Sequence, residues 1–139
     1  MITGIGTDII EIGRVKKAIT SEHFRARVYT AAERAYCEAR GAGAAASFAA
    51  RFAGKEAVLK ALGTGLRGGT LLDIEILNDA LGAPQVMLSG AFRQWAEEKG
   101  VSRVHLSLSH AREYATACCV MESAQDGGGQ DLKDREELP

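Results

Sequence analysis

SFAARFAGKEAVLKALGTG, residues 47–65, decides the fold. Phe48 to Leu62 is filled mainly with alanine, leucine, lysine and glutamate, all strong helix formers. Ser47, or a residue just before it, opens this longest helical segment. Gly63 stands where a left-handed C-terminal cap is expected. One i, i+4 row reads Phe48, Phe52, Glu56, Lys60. Apolar residues below and an acid–base pair above put Glu56 at the rim of a buried face. A second row holds Arg51 and Lys55, followed by Leu59, so the stretch offers one carboxylate and up to three cations. Taken alone it also reads as a surface salt bridge, because glutamate before lysine at i, i+4 is the favourable order.

Toward the N-terminus, Ile2 to Ile10 reads as a strand broken by Gly4 and Gly6, which signals close backbone approach or a bulge. Asp8 lies inside that apolar strand. An acid there is costly to bury unless paired, coordinated or kept at an edge. Glu11 to Thr20 can be helical, and a short helical turn holds Phe24 and Val28. Thr30 and Glu33 form a capping box for a helix running toward Arg40 and stopping at Gly41. GAGAAA, 41–46, reads as a small-residue linker without chemistry.

Toward the C-terminus, Leu72 to Leu77 and Gln85 to Leu88 read as a hairpin around NDALGAP, 78–84. Ala91 to Lys99 is a helix with Phe92, Trp95 and Ala96 inward. Val104 to Leu108 and Tyr114 to Met121 are strands flanking a turn. His110, at the end of the first, shares a face with Leu106 and Leu108; it can contact a phosphate or be satisfied by turn backbone. His105 and His23 read as structural. The pattern is α+β: one long helix against a small, mostly antiparallel sheet. Residues 1–122 form one domain, and 123–139 read as a disordered acidic tail.

Composition bounds the partners. The net charge of −1 gives no overall attraction to nucleic acid or acidic membranes. The 123–139 segment carries −3, leaving +2 on 1–122. Within 12–28 there are five bases, Arg14, Lys16, Lys17, Arg25 and Arg27, against Glu22 alone. That patch calls for an acidic partner. A nucleic-acid-binding domain using the patch is the weaker reading, lacking both strong positive charge and a cluster of stacking aromatics. The three cysteines match neither zinc spacing nor a disulfide framework, and read as buried thiols in a reducing cytoplasm. No run approaches the ~20 apolar residues that span a bilayer, and the N-terminus does not read as a signal peptide. GTG at 63–65 can admit a phosphate to its backbone, but it follows a helix C-terminus, where the dipole disfavours anions. Lys60 and Arg67 would have to supply the positive charge.

In order along the chain, GIGTDIIEIGR (4–14), FRARVYTAAE (24–33), RFAGKEAVLKALGTG (51–65), DIEI with its turn (73–84) and VHLSLSHAREYATACCV (104–120) resemble the holo-acyl-carrier-protein synthase family. This is the short trimeric class of 4′-phosphopantetheinyl transferases. The resemblance covers nearly all of 1–122. It implies the 4′-phosphopantetheinyl transferase fold and transfer of the 4′-phosphopantetheine arm of coenzyme A to a serine of an acyl carrier protein, with adenosine 3′,5′-bisphosphate leaving.

By the same resemblance Asp8 and Glu56 are metal ligands for Mg²⁺. Two carboxylates ~4 Å apart repel by about 4 kcal/mol at an effective dielectric near 20, which a cation between them reverses. Oxygen ligands, retained waters and substrate phosphates suit Mg²⁺. Lys60 joins them as a catalytic residue, for contact with the phosphates and help in deprotonating the serine; phosphate contact is the safer role, because a nearby carboxylate raises a lysine's pKa. The base is left between Glu56 and a water beside the metal. Arg51, Lys60, Gly63, Thr64 and His110 match coenzyme A contacts. Arg14, Phe24, Arg25 and Arg27 match the carrier-docking surface. Family members often carry a basic residue just before this phenylalanine; here it is His23, mostly neutral near neutral pH. A homotrimer with active sites between subunits is implied. The alternative is a coenzyme A- or nucleotide-binding module without transferase activity, which would not need both acids.

Overall fold

The computed structural model describes residues 1–124. The chain runs β1 (Ile2–Glu11), α1 (Ile12–Ala18), α2 (Glu22–Val28), α3 (Ala31–Glu38), α4 (Ala44–Leu62), β2 (Ile74–Asn78), β3 (Pro84–Leu88), α5 (Gly90–Glu98), β4 (Val101–His110) and β5 (Tyr114–Ser123). A three-stranded antiparallel sheet has the order β1-β5-β4, and β2 and β3 form a separate antiparallel hairpin. The expected α+β architecture is present, with the sheet split in two.

α4 is the central element. Phe48, Ala49, Ala53, Ala57, Val58 and Leu62 are all buried, so helix sides that would usually be polar face protein instead. One side packs on β1 and β5; Gly54 faces Ile76 of the hairpin and Leu108 of β4, where a Cβ would lie 2.7 and 3.1 Å from their methyl carbons. One core cluster gathers α4, Ile74, Ile76, Phe92, Ala117, Cys119 and Met121. A second joins Val15, Val28, Tyr29, Cys37 and Phe48 under the N-terminal helices.

The close approach expected at Gly4 and Gly6 is where β1 meets α4. A Cβ at Gly4 would come within 3.0 Å of the Ala61 carbonyl carbon, and one at Gly6 within 2.7 Å of the Ala61 nitrogen. Moving two residues along β1 shifts the contact back along α4 toward Ala57. Strand and helix thus run antiparallel, about 6.6 Å of strand matching about 6 Å of helix. The next inward residue of β1 is Asp8, which this register delivers to the turn of α4 before Ala57.

Several local expectations change. Ala44–Ala46 belong to α4 rather than to a linker, after a 3-10 turn at Gly41–Gly43. Alanine is the best helix former and little opposes its extension backward. The first hairpin strand starts at Ile74, because Leu71–Asp73 form a 3-10 turn closed by Thr70 and Asp73. The Thr30–Glu33 capping box is present. β5 extends to Ser123, one residue beyond the expected domain boundary; the tail assigned to 123–139 otherwise lies, from 125 on, outside the described residues. His105, read as structural, is exposed on the sheet with its Nε2 2.6 Å from Glu122. No helix among the described residues is long and apolar enough to cross a membrane.

Candidate active site

β1 and α4 bring Asp8, Glu56 and Lys60 together. Lys60 Nζ donates to Asp8 Oδ1 at 3.1 Å and to the Thr7 carbonyl oxygen at 2.9 Å. The Asp8 side chain is 17% exposed and that of Lys60 55%. Glu56, half-buried, has its pKa raised, first by burial and then by the Asp8 charge, with Lys60 opposing. The two acids therefore feel each other's field, and the row Phe48, Phe52, Glu56, Lys60 runs from core to rim as its periodicity implied. Among the described residues no group of three or more His, Cys, Asp or Glu could hold a metal ion. A cation bound here would have two carboxylates, with water and substrate oxygens completing its shell. That is the donor set Mg²⁺ prefers over a closed protein cage.

Lys60 stands on the ridge between two clefts. One, of about 490 Å³, is lined by Thr7, Asp8, Lys60, Ser107, Thr116 and Cys118. The other, of about 260 Å³, lies on the far side, lined by Glu56, Leu59, Lys60, Gly63, Gly65 and Leu66. Gly63 ends α4 in the left-handed conformation (φ 75°), so the GTG loop turns away directly beside Glu56 and Lys60. Thr64 is half-exposed, and its hydroxyl donates to the Gly65 carbonyl.

Arg51 and His110 lie elsewhere, in a cleft of about 510 Å³ whose lining also includes Tyr36, Arg40, Ser47 and Asn78. Arg51 precedes Lys60 by nine residues, about 14 Å along the helix. Its guanidinium stacks 4.3 Å over the Tyr36 ring, donates to Ser47 Oγ at 3.3 Å, and donates to Asn78 Oδ1. Arg51 is 3% exposed and its Nε has no hydrogen-bond partner among the described residues. Such a buried donor favours an incoming acceptor. Tyr36 and Asn78 were missed by sequence reasoning: one follows the capping box and the other opens a turn, and neither carries a chemical signature.

Lys55 is not part of this site, contrary to the count of three available cations. It is fully buried, 2.7 Å from Glu33 Oε1 and 2.8 Å from the Leu71 carbonyl oxygen. Glu33 also accepts from the backbone N–H of Ile76. The pair joins α3, α4 and the hairpin instead of facing a ligand.

On the N-terminal helices Arg14 and Arg27 are exposed. Arg25 is tied to Glu22 at 2.8 Å, as is Arg34 at 2.9 Å. These two guanidiniums, Arg34 first, hold the Glu22 carboxyl below its usual range. Phe24 is half-buried and stacks on Phe52. The basic surface is thus wider than 12–28, reaching Arg34 on α3.

The model of the 4′-phosphopantetheinyl transferase superfamily matches residues 4–119. A holo-acyl-carrier-protein synthase of Ruminiclostridium cellulolyticum is 48% identical over 120 residues, 84% of this chain and 90% of that protein. The crystal structure of the Neisseria meningitidis holo-acyl-carrier-protein synthase superposes with a TM-score of 0.80 at 39% identity, covering 88% of this chain and all of that one. The Bacillus anthracis synthase, solved in complex with CoA (3′,5′-ADP), superposes with a TM-score of 0.75 at 40% identity, over 89% of this chain and 99% of that one. Sequence and fold agree: this chain belongs to the holo-acyl-carrier-protein synthases of the 4′-phosphopantetheinyl transferase superfamily.

Proposed function

We propose that the protein transfers the 4′-phosphopantetheine group of coenzyme A to a serine of an apo-acyl carrier protein, using Mg²⁺ held by Asp8 and Glu56. The convergence of Asp8, Glu56 and Lys60 carries this reading, because two neighbouring acids beside a lysine favour a divalent cation and a phosphate together. Mg²⁺ supplies charge neutralisation to the pyrophosphate. In the reaction the serine oxygen bonds to the β-phosphorus, the bond from that phosphorus to the leaving adenosine 3′,5′-bisphosphate breaks, and the serine proton leaves. Lys60 places its ammonium against the phosphate oxygens, where negative charge accumulates. Glu56, beside Asp8 and Lys60 at the site, is the chain's own candidate for taking the proton, with a water beside the cation as the other.

Coenzyme A is long enough to reach from the Lys60 ridge to the Arg51 cleft. The unpartnered Arg51 Nε and His110 suit an anionic group at the far end, and Gly63 and Thr64 border the near one. Arg14, Phe24, Arg25 and Arg27 offer the acidic carrier a basic surface, which mainly speeds association and selects the partner. A homotrimer suits the outer face of the three-stranded sheet. There Ile5 and Ile9 are 65% and 62% exposed on edge strand β1, beside the cleft that Asp8 and Lys60 line. A second copy seated on that face would cover them and complete the coenzyme pocket. Three free cysteines, two of them buried, suit a reducing cytoplasm.

The decisive assay mixes the protein with Mg²⁺, coenzyme A and an apo-carrier, then weighs the carrier by mass spectrometry. A mass gain of one phosphopantetheine is expected. An unchanged mass across several carriers would overturn the reading. Light scattering tests the trimer separately.

A further inference from the structure

The helix that carries Glu56 and Lys60 presents the wrong pole to an anion. Its last carbonyls form the negative end of the macrodipole, and the Gly63–Thr64–Gly65 loop leaves directly from them. One cation outside the Asp8–Glu56–Lys60 cluster meets this end. Lys99, which caps the C-terminus of α5, donates from Nζ to the carbonyl oxygen of Leu62. A Cβ at Gly63 would lie 3.6 Å from the same Nζ. Lys99 has no carboxylate partner among the described residues. Among the described residues, the Thr64 hydroxyl reaches only the neighbouring Gly65 carbonyl. The ammonium therefore ties the end of α4, from which the loop leaves, to α5, and places positive charge beside Gly63, which lines the cleft with Glu56, Lys60 and Gly65.

We propose that Lys99 is a positioning residue of the coenzyme A site. It caps the carbonyl end of α4, offsets the negative pole there, and holds the Gly63–Gly65 backbone in the shape the phosphates meet. This deepens, and rests on, the transferase reading. Lysine near a helix C-terminus commonly bonds the last carbonyls in this way. What is specific here is that the capped end adjoins the reacting group. The role is electrostatic and geometric, acting on substrate affinity more than on the chemical step.

The test compares Lys99→Met, Lys99→Gln and Lys99→Arg with the unsubstituted protein. Transfer kinetics give KM for coenzyme A and kcat, calorimetry gives the coenzyme A Kd, and amide exchange reports on residues 63–65. Methionine and glutamine should raise KM and Kd about three- to ten-fold with kcat within about two-fold, and arginine should restore both constants. Exchange at 63–65 should quicken in the neutral variants alone. Neutral variants that lose thermal stability yet keep the original KM and Kd would reduce Lys99 to helix packing and overturn the proposal. An arginine variant as impaired as methionine would also overturn it. If the unsubstituted protein transfers nothing, the transferase reading fails, while the Kd comparison still judges Lys99.

Discussion

Lys60 Nζ lies 3.1 Å from Asp8 Oδ1 across 52 residues of sequence, and the same ammonium holds the carbonyl oxygen of Thr7 at 2.9 Å. One side chain of α4 thereby fixes the acid of an edge strand beside Glu56. The arrangement predicts that Asp8→Ala folds, because a partly exposed acid is removed and Lys60 remains in solvent. Transfer should nevertheless fall by about 100-fold or more, the scale for losing electrostatic stabilisation of a transition state. Carrier mass measured against time checks the rate, and circular dichroism checks the fold. A chelator should silence the unsubstituted protein, with Mg²⁺ restoring it.

Glu56 predicts a stability signature of opposite sign. Burial and the Asp8 charge raise its pKa above the usual 4.5, so the folded state holds a proton that the unfolded chain releases. Its contribution is most favourable below the unfolded pKa and is lost as pH rises toward the folded value. Above that window the ionised carboxylate costs stability. Without divalent cation, Glu56→Gln should therefore melt higher than the unsubstituted protein at neutral pH and equally at low pH. Added Mg²⁺ should raise the melting temperature of the unsubstituted protein alone.

Gly6 predicts how tightly the site depends on backbone approach. A Cβ there would come within 2.7 Å of the Ala61 nitrogen and 2.9 Å of Lys60 Cβ. Gly6→Ala must push β1 off α4, an overpacking that costs about 1–3 kcal/mol. The same displacement separates Asp8 from Glu56 and Lys60. Transfer should drop well beyond the loss in folded protein, measured by activity per folded molecule after urea titration. Gly13→Ala, whose Cβ would meet nothing within 4 Å, is the matched control.

What the sequence made legible follows from periodicity. The i, i+4 row of α4 put Glu56 and Lys60 together at a rim, while the meeting of Asp8 with them was implied only by the family resemblance; the structure joins all three. Gly4 and Gly6 announced the close contact through which they meet. Spacing could not say which cation of the helix turns outward. Arg51 and Lys55 are both buried, and only tertiary partners, Tyr36 and Asn78 for one and Glu33 for the other, decide their roles. The beginning of α4 was also obscure. Gly41–Gly43 and three alanines carry no capping side chain, so a helix start and a flexible linker look alike in composition.

Lys55 and Glu33 supply the last test, because a buried pair behaves unlike a surface one. Neither side chain is exposed, and both carry further bonds, to the Leu71 carbonyl and the Ile76 N–H. Burial lowers the lysine's pKa, and Glu33 opposes that shift. Removing one partner leaves the other charge buried and alone, at a cost of about 3–5 kcal/mol. Lys55→Met and Glu33→Gln should each approach that loss in urea unfolding. The double variant Glu33→Gln/Lys55→Met should lose clearly less than the two combined, since no uncompensated charge remains. Because this pair lies away from the Lys60 ridge, molecules that stay folded should keep kcat near its original value. A large fall in kcat per folded molecule would instead mean that the α3–α4–hairpin junction sets the geometry of Glu56.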